Sequence, residues 1–214
     1  MPHLTAADIA HLEKVYRLNL VNAITGFKPA NLLGTVSEQG QENLAIISSV
    51  VHLGSNPALL GLVMRPPSAE SHSYHNIRAT RCYTLNHVHE GIARAAHHTS
   101  AKFPREESEF AACGLTPAYQ DDFPAPYVQE SRLRIGLKLV QELPIEANGT
   151  VLLVGTVEHL YLPENGTLRP DGSLDLTAAG TVALSGLDTY YQATPVARFG
   201  YAHPHQPLPE LPLK

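Results

Sequence analysis

The spacing of apolar residues changes near residue 31. Before it, Ile9, Leu12, Tyr16 and Leu20 recur every three to four positions, the stripe of a helix. Thr5-Ala-Ala-Asp8 opens that helix as a capping box with Asp in the usual place of Glu, and Lys28-Pro29 closes the region. From Asn31 on, the pattern is that of strands. Leu32–Ser37, a Glu38-Gln39-Gly40-Gln41 turn and Asn43–Val51 make a hairpin, and Ala58–Met64 is a third strand closed by Pro66-Pro67. Ser71–Thr80 is a short helix and Cys82–His87 a fourth strand. Glu90–Ser100 and Ser108–Gly114 are helical around a break at Phe103-Pro104, and Asp121–Pro126 is loop. The clearest alternation lies at 132–139: Leu133, Ile135, Leu137 and Leu139 on one face, Arg132, Arg134, Gly136 and Lys138 on a wet or functional one. Thr150–Leu162 is a further strand after an Asn148-Gly149 turn, and Asn165-Gly166 and Asp171-Gly172 mark two more turns.

Six or seven short strands with helices inserted midway predict a mainly β chain with inserted helices, a small closed or partly closed barrel. The expected division is an N-terminal helical segment (1–27), the barrel domain (28–201) and a proline-rich C-terminal tail (202–214) that frays or lies along a neighbour. Strands do not alternate with full-length helices, and GxGxxG, GxxxxGK[ST] and GxSxG are absent, which argues against Rossmann, P-loop and hydrolase readings.

A net charge of −5 gives no basic groove for nucleic acid and no cationic run for a membrane surface. No apolar stretch approaches the roughly 20 residues of a spanning helix. The N-terminus lacks a signal-peptide core, and Cys82 and Cys113 cannot build a disulfide framework, so the expectation is a cytoplasmic chain with both thiols reduced.

Three places could carry chemistry. Ser48 and Ser49 interrupt an apolar strand. They are either small residues at a crowded corner or residues that let the backbone reach a flat polar ring. Arg65, Ser68, Ser71, Ser73 and Asn76 gather hydroxyls and a guanidinium at a helix start, an arrangement for a phosphate or for simple N-capping. Thr99, Ser100 and Lys102 end a helix, either as an anion site or as an ordinary polar C-terminus. The rival constellation is His87, His89, His97 and His98. Adjacent histidines diverge by about 100° on a helix and no HExxH accompanies them, so no metal site is assigned.

The segments NLLGTVSEQGQENLAIISSVVHLGSNPALLGLVMRP (31–66), SHSYHNIRATRCYTLNHV (71–88), AAHHTSAKFPREESEFAACGLTP (95–117) and GTVALSGLDTYYQ (180–192) resemble the flavin reductase family, the FMN-binding split-barrel proteins. The resemblance implies a Greek-key-like split barrel and an NAD(P)H-dependent flavin oxidoreductase. Ser48, Ser49, Val50 and Val51 then lie along the isoalloxazine, with backbone N–H groups around Ser49–Val51 as donors to the reduced ring. Arg65, Ser71, Ser73 and Asn76 approach the phosphate and ribityl chain. Ser73-Tyr-His-Asn76 stands for the family's Thr-x-x-Asn, and Asn86, Thr99, Ser100 and Lys102 are second-tier contacts. Ser185-Gly186-Leu187 replaces an arginine-containing segment, Tyr190 and Tyr191 border the pocket, and His52 is a bystander. Catalytic side chains are not required, because the flavin carries the hydride chemistry. The resemblance also implies a homodimer. The alternatives are a non-catalytic FMN carrier and a histidine-ligated metal protein.

Overall fold

The computed structural model describes residues 1, 3–164 and 167–213, so the expected Asn165-Gly166 turn lies outside the described residues. In chain order the elements are α1 (Ala6–His11), α2 (Lys14–Ala23), β1 (Lys28–Pro29), β2 (Asn31–Val36), β3 (Glu42–Ile47), β4 (Val50–Ser55), β5 (Ala58–Met64), α3 (His72–Thr80) and β6 (Cys82–His87). A 3-10 turn (Glu90–Ile92) follows, then α4 (Ala93–His98), α5 (Glu109–Cys113), β7 (Pro117–Ala118), β8 (Tyr127–Val128), β9 (Arg134–Ile145), β10 (Thr150–Tyr161), β11 (Val182–Ser185) and β12 (Thr189–Gln192). Among the described residues no helix is long and apolar enough to cross a membrane.

Seven strands form one antiparallel sheet in the order β3-β2-β6-β9-β10-β5-β4. β3 and β4 are its two edges, yet only Ser48 and Ser49 separate them in the chain. The sheet therefore curls until its edges approach, and the chain steps from one to the other without closing the ladder. This is a split barrel, Greek-key-like in its crossing from β5 to β6. A three-stranded sheet, β1-β11-β12, and a β7–β8 ribbon stand beside it.

β2 is buried along its whole length because it has a core on each face. Leu33 belongs to the barrel interior with Leu62, Ile77, Tyr83, Leu137 and Leu153. Its neighbour Leu32 points the other way, to a second core with Leu44, Phe110, Val128 and Leu184 under α4, α5 and the small sheet. Helix α3 lies across β2 and β3.

The structure corrects four expectations. The single strand Asn43–Val51 is two strands on opposite edges, hinged at the serines. The N-terminal helix is two helices. Thr5 and Asp8 do form the capping box, but the Glu13 carboxylate accepts from Val15 N and Tyr16 N and starts a second helix. Gly136 is not a wet position: it is buried, and a β-carbon there would overlap the Tyr127 hydroxyl. The tail pairs with its own chain, with Gly200 N donating to Pro209 O and Leu211 N to Arg198 O, both at 2.9 Å.

Candidate functional site

The two serines explain themselves at the hinge. Val63 N donates to Ser49 O at 3.2 Å, as a ladder rung should, but Val63 O accepts from the Ser49 hydroxyl at 2.7 Å. The side chain completes the last β4–β5 rung in place of the amide. The N–H groups of Ser48 and Ser49 then meet no acceptor among the described residues, and neither does the Ser48 hydroxyl. Both residues are only partly exposed. Val50 and Val51 follow in β4, opposite Leu62 and Gly61.

Two residues past Val63, about 7 Å along the strand direction, the chain leaves β5 at Arg65. Arg65 is exposed and makes no hydrogen bond or ion pair among the described residues. The loop then folds on itself. Ser71 Oγ accepts from Ser68 N at 2.9 Å, and a His75 ring nitrogen bonds Ser68 O at 2.8 Å. Ser71 is the residue before α3, but its hydroxyl does not cap the helix. Ser73 N and Tyr74 N have no acceptor among the described residues, so the first turn of α3 presents open donors. Lys102 Nζ reaches Glu70 at 3.1 Å and brings 100–102 against this loop, with Ser100 exposed beside it.

Other expected site residues are spent inside the fold. Asn86 is fully buried. Its amide donates to Leu32 O at 3.1 Å and Thr84 Oγ1 at 2.9 Å and accepts from Val128 N at 3.0 Å, so it stitches β6 to β2 and β8 rather than facing a ligand. Thr99 Oγ1 accepts from Ile46 N and donates to Ala96 O, both at 2.8 Å. Asn76 donates to Thr35 Oγ1 at 3.2 Å. Ser73 is intermediate: Oγ accepts from the Asn43 amide at 2.8 Å, which leaves its own proton to donate.

Sequence reasoning missed Glu109. Its carboxylate is buried and accepts from Leu44 N at 2.9 Å, and burial raises its pKa. A glutamate at a helix start looks like a capping residue in sequence, and nothing local shows that it seals a strand edge. The histidines do not converge: among the described residues no cluster of three metal-ligating side chains exists. His97 bonds the Tyr190 hydroxyl at 3.2 Å, and Tyr191 packs on Phe27 at 4.9 Å between ring centroids. A cavity of about 300 Å³ opens elsewhere, between Arg169–Thr177 and Ala193–Arg198.

A split barrel with open amides at its seam, beside an arginine with no partner among the described residues and an open helix start, is a specific combination. The model of the flavin reductase like domain matches residues 27–175. The chain belongs to the flavin reductase-like family. It is 46% identical to a split-barrel protein of Shewanella frigidimarina assigned as a flavin reductase, with a TM-score of 0.91 over 94% of this chain and 100% of that one. Two further structures share the fold. Nitrilotriacetate monooxygenase component B from Bacillus cereus has a TM-score of 0.79 at 19% identity, covering 91% of this chain and 96% of its own. Flavoredoxin of Desulfovibrio vulgaris has 0.68 at 23%, covering 84% and 92%. Membership of the flavin reductase-like family gives the chain a flavin-related redox role. The donor set fits a flavin nucleotide. Arg65, the open α3 turn and the Ser73 hydroxyl suit a phosphate, and the Ser48 and Ser49 amides suit the acceptor edge of a planar ring.

Proposed function

We propose that the chain binds FMN at the barrel seam and works as an NAD(P)H-dependent flavin oxidoreductase. The observation that carries the reading is the pair of unspent amides at Ser48 and Ser49, where the Ser49 hydroxyl has taken over the ladder bond. Backbone donors fixed between two strands need no reorganisation to stabilise negative charge on a bound ring. Arg65 and the first turn of α3 hold the phosphate, and the Ser73 hydroxyl, oriented by Asn43, adds a donor. Glu109 and Thr99 hold β3, Asn86 ties β6 to β2 and β8, and none of the three touches the ligand. When bound, the flavin supplies two-electron hydride chemistry, so no acid–base pair is needed from the protein.

The test is an absorption spectrum after FMN addition and gel filtration, followed by anaerobic NADH or NADPH. Co-eluting flavin bands that bleach with either nucleotide support the oxidoreductase. Bands that co-elute and do not bleach leave an FMN carrier on the same scaffold. FMN lost on the column, with no NAD(P)H-dependent reduction of added flavin, overturns the site assignment.

A further inference from the structure

Away from the seam, the cavity of about 300 Å³ between Arg169–Thr177 and Ala193–Arg198 has a chemistry of its own. Its size lies at the lower end of small-molecule sites, roughly 300–1,000 Å³. The wall made by 193–198 and Leu213 lies outside the span that the family model matches.

The walls are held in shape by the chain itself. Leu168 bridges Leu174, and Arg169 N donates to Ser173 O at 2.9 Å, which makes 168–174 a tight hairpin. The C-terminal hairpin is closed by Gly200 N on Pro209 O and Leu211 N on Arg198 O. Thr177 Oγ1 donates to Ala193 O at 3.1 Å and ties one wall to the other. Arg169 Nη2 adds a second tie, to Leu213 O at 2.8 Å.

Leu174, Leu176, Pro195 and Leu213 make much of the lining apolar, and the side chains of Arg169 and Arg198 interrupt it. These two side chains are only 18% and 25% exposed. A guanidinium offers five N–H donors. Arg169 commits Nη2 alone, to Asp175 and Leu213 O, and Arg198 commits Nη2 alone, to Asp171 and Ser173 Oγ. Nε and Nη1 of each meet no acceptor among the described residues. Asp175 is the acidic residue of the lining, and its two oxygens are taken by Arg169 and by Ala178 N at 2.9 Å. Two arginines against one aspartate leave the lining net positive, with donors to spare.

Guanidinium donors without acceptors call for an oxyanion, and their planar fork suits a carboxylate. Apolar walls call for an apolar body. An ammonium ligand finds its carboxylate already paired, and a dianion brings more charge than the lining offsets. We infer that this cavity is a second ligand site, for a small monocarboxylate with an apolar body. The inference does not depend on flavin binding.

Calorimetric titration of the full chain with hexanoate tests it. Hexanoate is expected to bind saturably near ~1 mM, a range suited to so small a ligand, and hexan-1-ol and hexylammonium are expected not to bind. Arg198→Gln is expected to weaken hexanoate about tenfold. Ala197→Trp, which fills the cavity from an exposed position, is expected to abolish binding with an unchanged circular dichroism spectrum. Saturating FMN is expected to leave the hexanoate affinity unchanged. Should one variant not fold, the other decides. No saturation by ~20 mM hexanoate, equal binding of hexan-1-ol or hexylammonium, unweakened binding in a folded variant, or displacement by FMN overturns the inference.

Discussion

The outer edge of β3 is closed by side chains, and the step that follows it is open. Leu44 N and Ile46 N, which point away from β2, end on the Glu109 carboxylate and the Thr99 hydroxyl. Two residues on, past the end of β3, Ser48 N meets no acceptor among the described residues. An edge strand is a hazard that proteins cover, so the uncovered stretch needs a reason. The difference separates two sets of polar residues that look alike in sequence. Asn76, Asn86, Thr99 and Glu109 hold the barrel. Ser48, Ser49, Arg65 and the start of α3 have bonding capacity left over. Replacing the first set should cost stability, and replacing the second should cost FMN affinity.

The largest effect belongs to the closed set. Asn86→Ala strands the Val128 N–H in the interior and removes the amide's bonds to Leu32 O and Thr84 Oγ1, and urea unfolding should show a loss of roughly 3–5 kcal/mol. A variant that loses FMN but keeps its unfolding midpoint would place Asn86 in the open set and break the comparison. His87, at the end of β6, gives the next effect. Burial lowers its pKa from the ordinary 6.5 to about 4, so the folded state holds it neutral while the unfolded chain protonates it. The contribution is fully present above pH 6.5 and is lost as the pH falls through about 4, worth about 3 kcal/mol in all. Unfolding at pH 7, 5.5 and 4.5 should show this slope, and His87→Asn should remove that share of it.

Arg65→Ala tests the open set. Arg65 bonds nothing in the protein among the described residues, so the unfolding midpoint should not move. A charge-assisted bond to phosphate is worth about 1.5–3 kcal/mol, so FMN should bind roughly tenfold to a hundredfold more weakly. The loss should shrink as salt is added. An unchanged FMN titration would remove Arg65 from the site. Ser73→Ala sharpens the boundary. Its hydroxyl serves both Asn43 and the open helix turn, so stability and FMN affinity should fall together.

Much of this was legible in the sequence. Alternation at Leu133–Leu139 marked a real strand, and the turn residues placed the hairpins, because both signals are local. The Arg65–Asn76 cluster was visible as hydroxyls and a guanidinium at a helix start. The division between closed and open residues was not. It depends on where Val128, Leu32 and Leu44 lie relative to residues tens of positions away, a matter of topology alone. The step at Ser48-Ser49 was hidden for the same reason. An apolar run with two serines has the same pattern whether it stays on one edge or passes between two.

The smallest effect has the opposite sign and probes the loop's charge. Lys102 and Glu70 pair at 3.1 Å, but their side chains are 90% and 73% exposed. Such a pair contributes less than about 0.5 kcal/mol, so Lys102→Ala should leave the unfolding midpoint in place. The Glu70 carboxylate sits in the loop that is meant to receive a phosphate, and Lys102 offsets its repulsion. Glu70→Gln should therefore tighten FMN binding about twofold at low salt, with the gain fading toward physiological ionic strength. Lys102→Ala should weaken it by a similar factor, and the double variant should return close to wild type. Titrations in which neither charge matters would move the phosphate away from the Ser68–Ser71 loop and leave α3 and Arg65 to hold it alone.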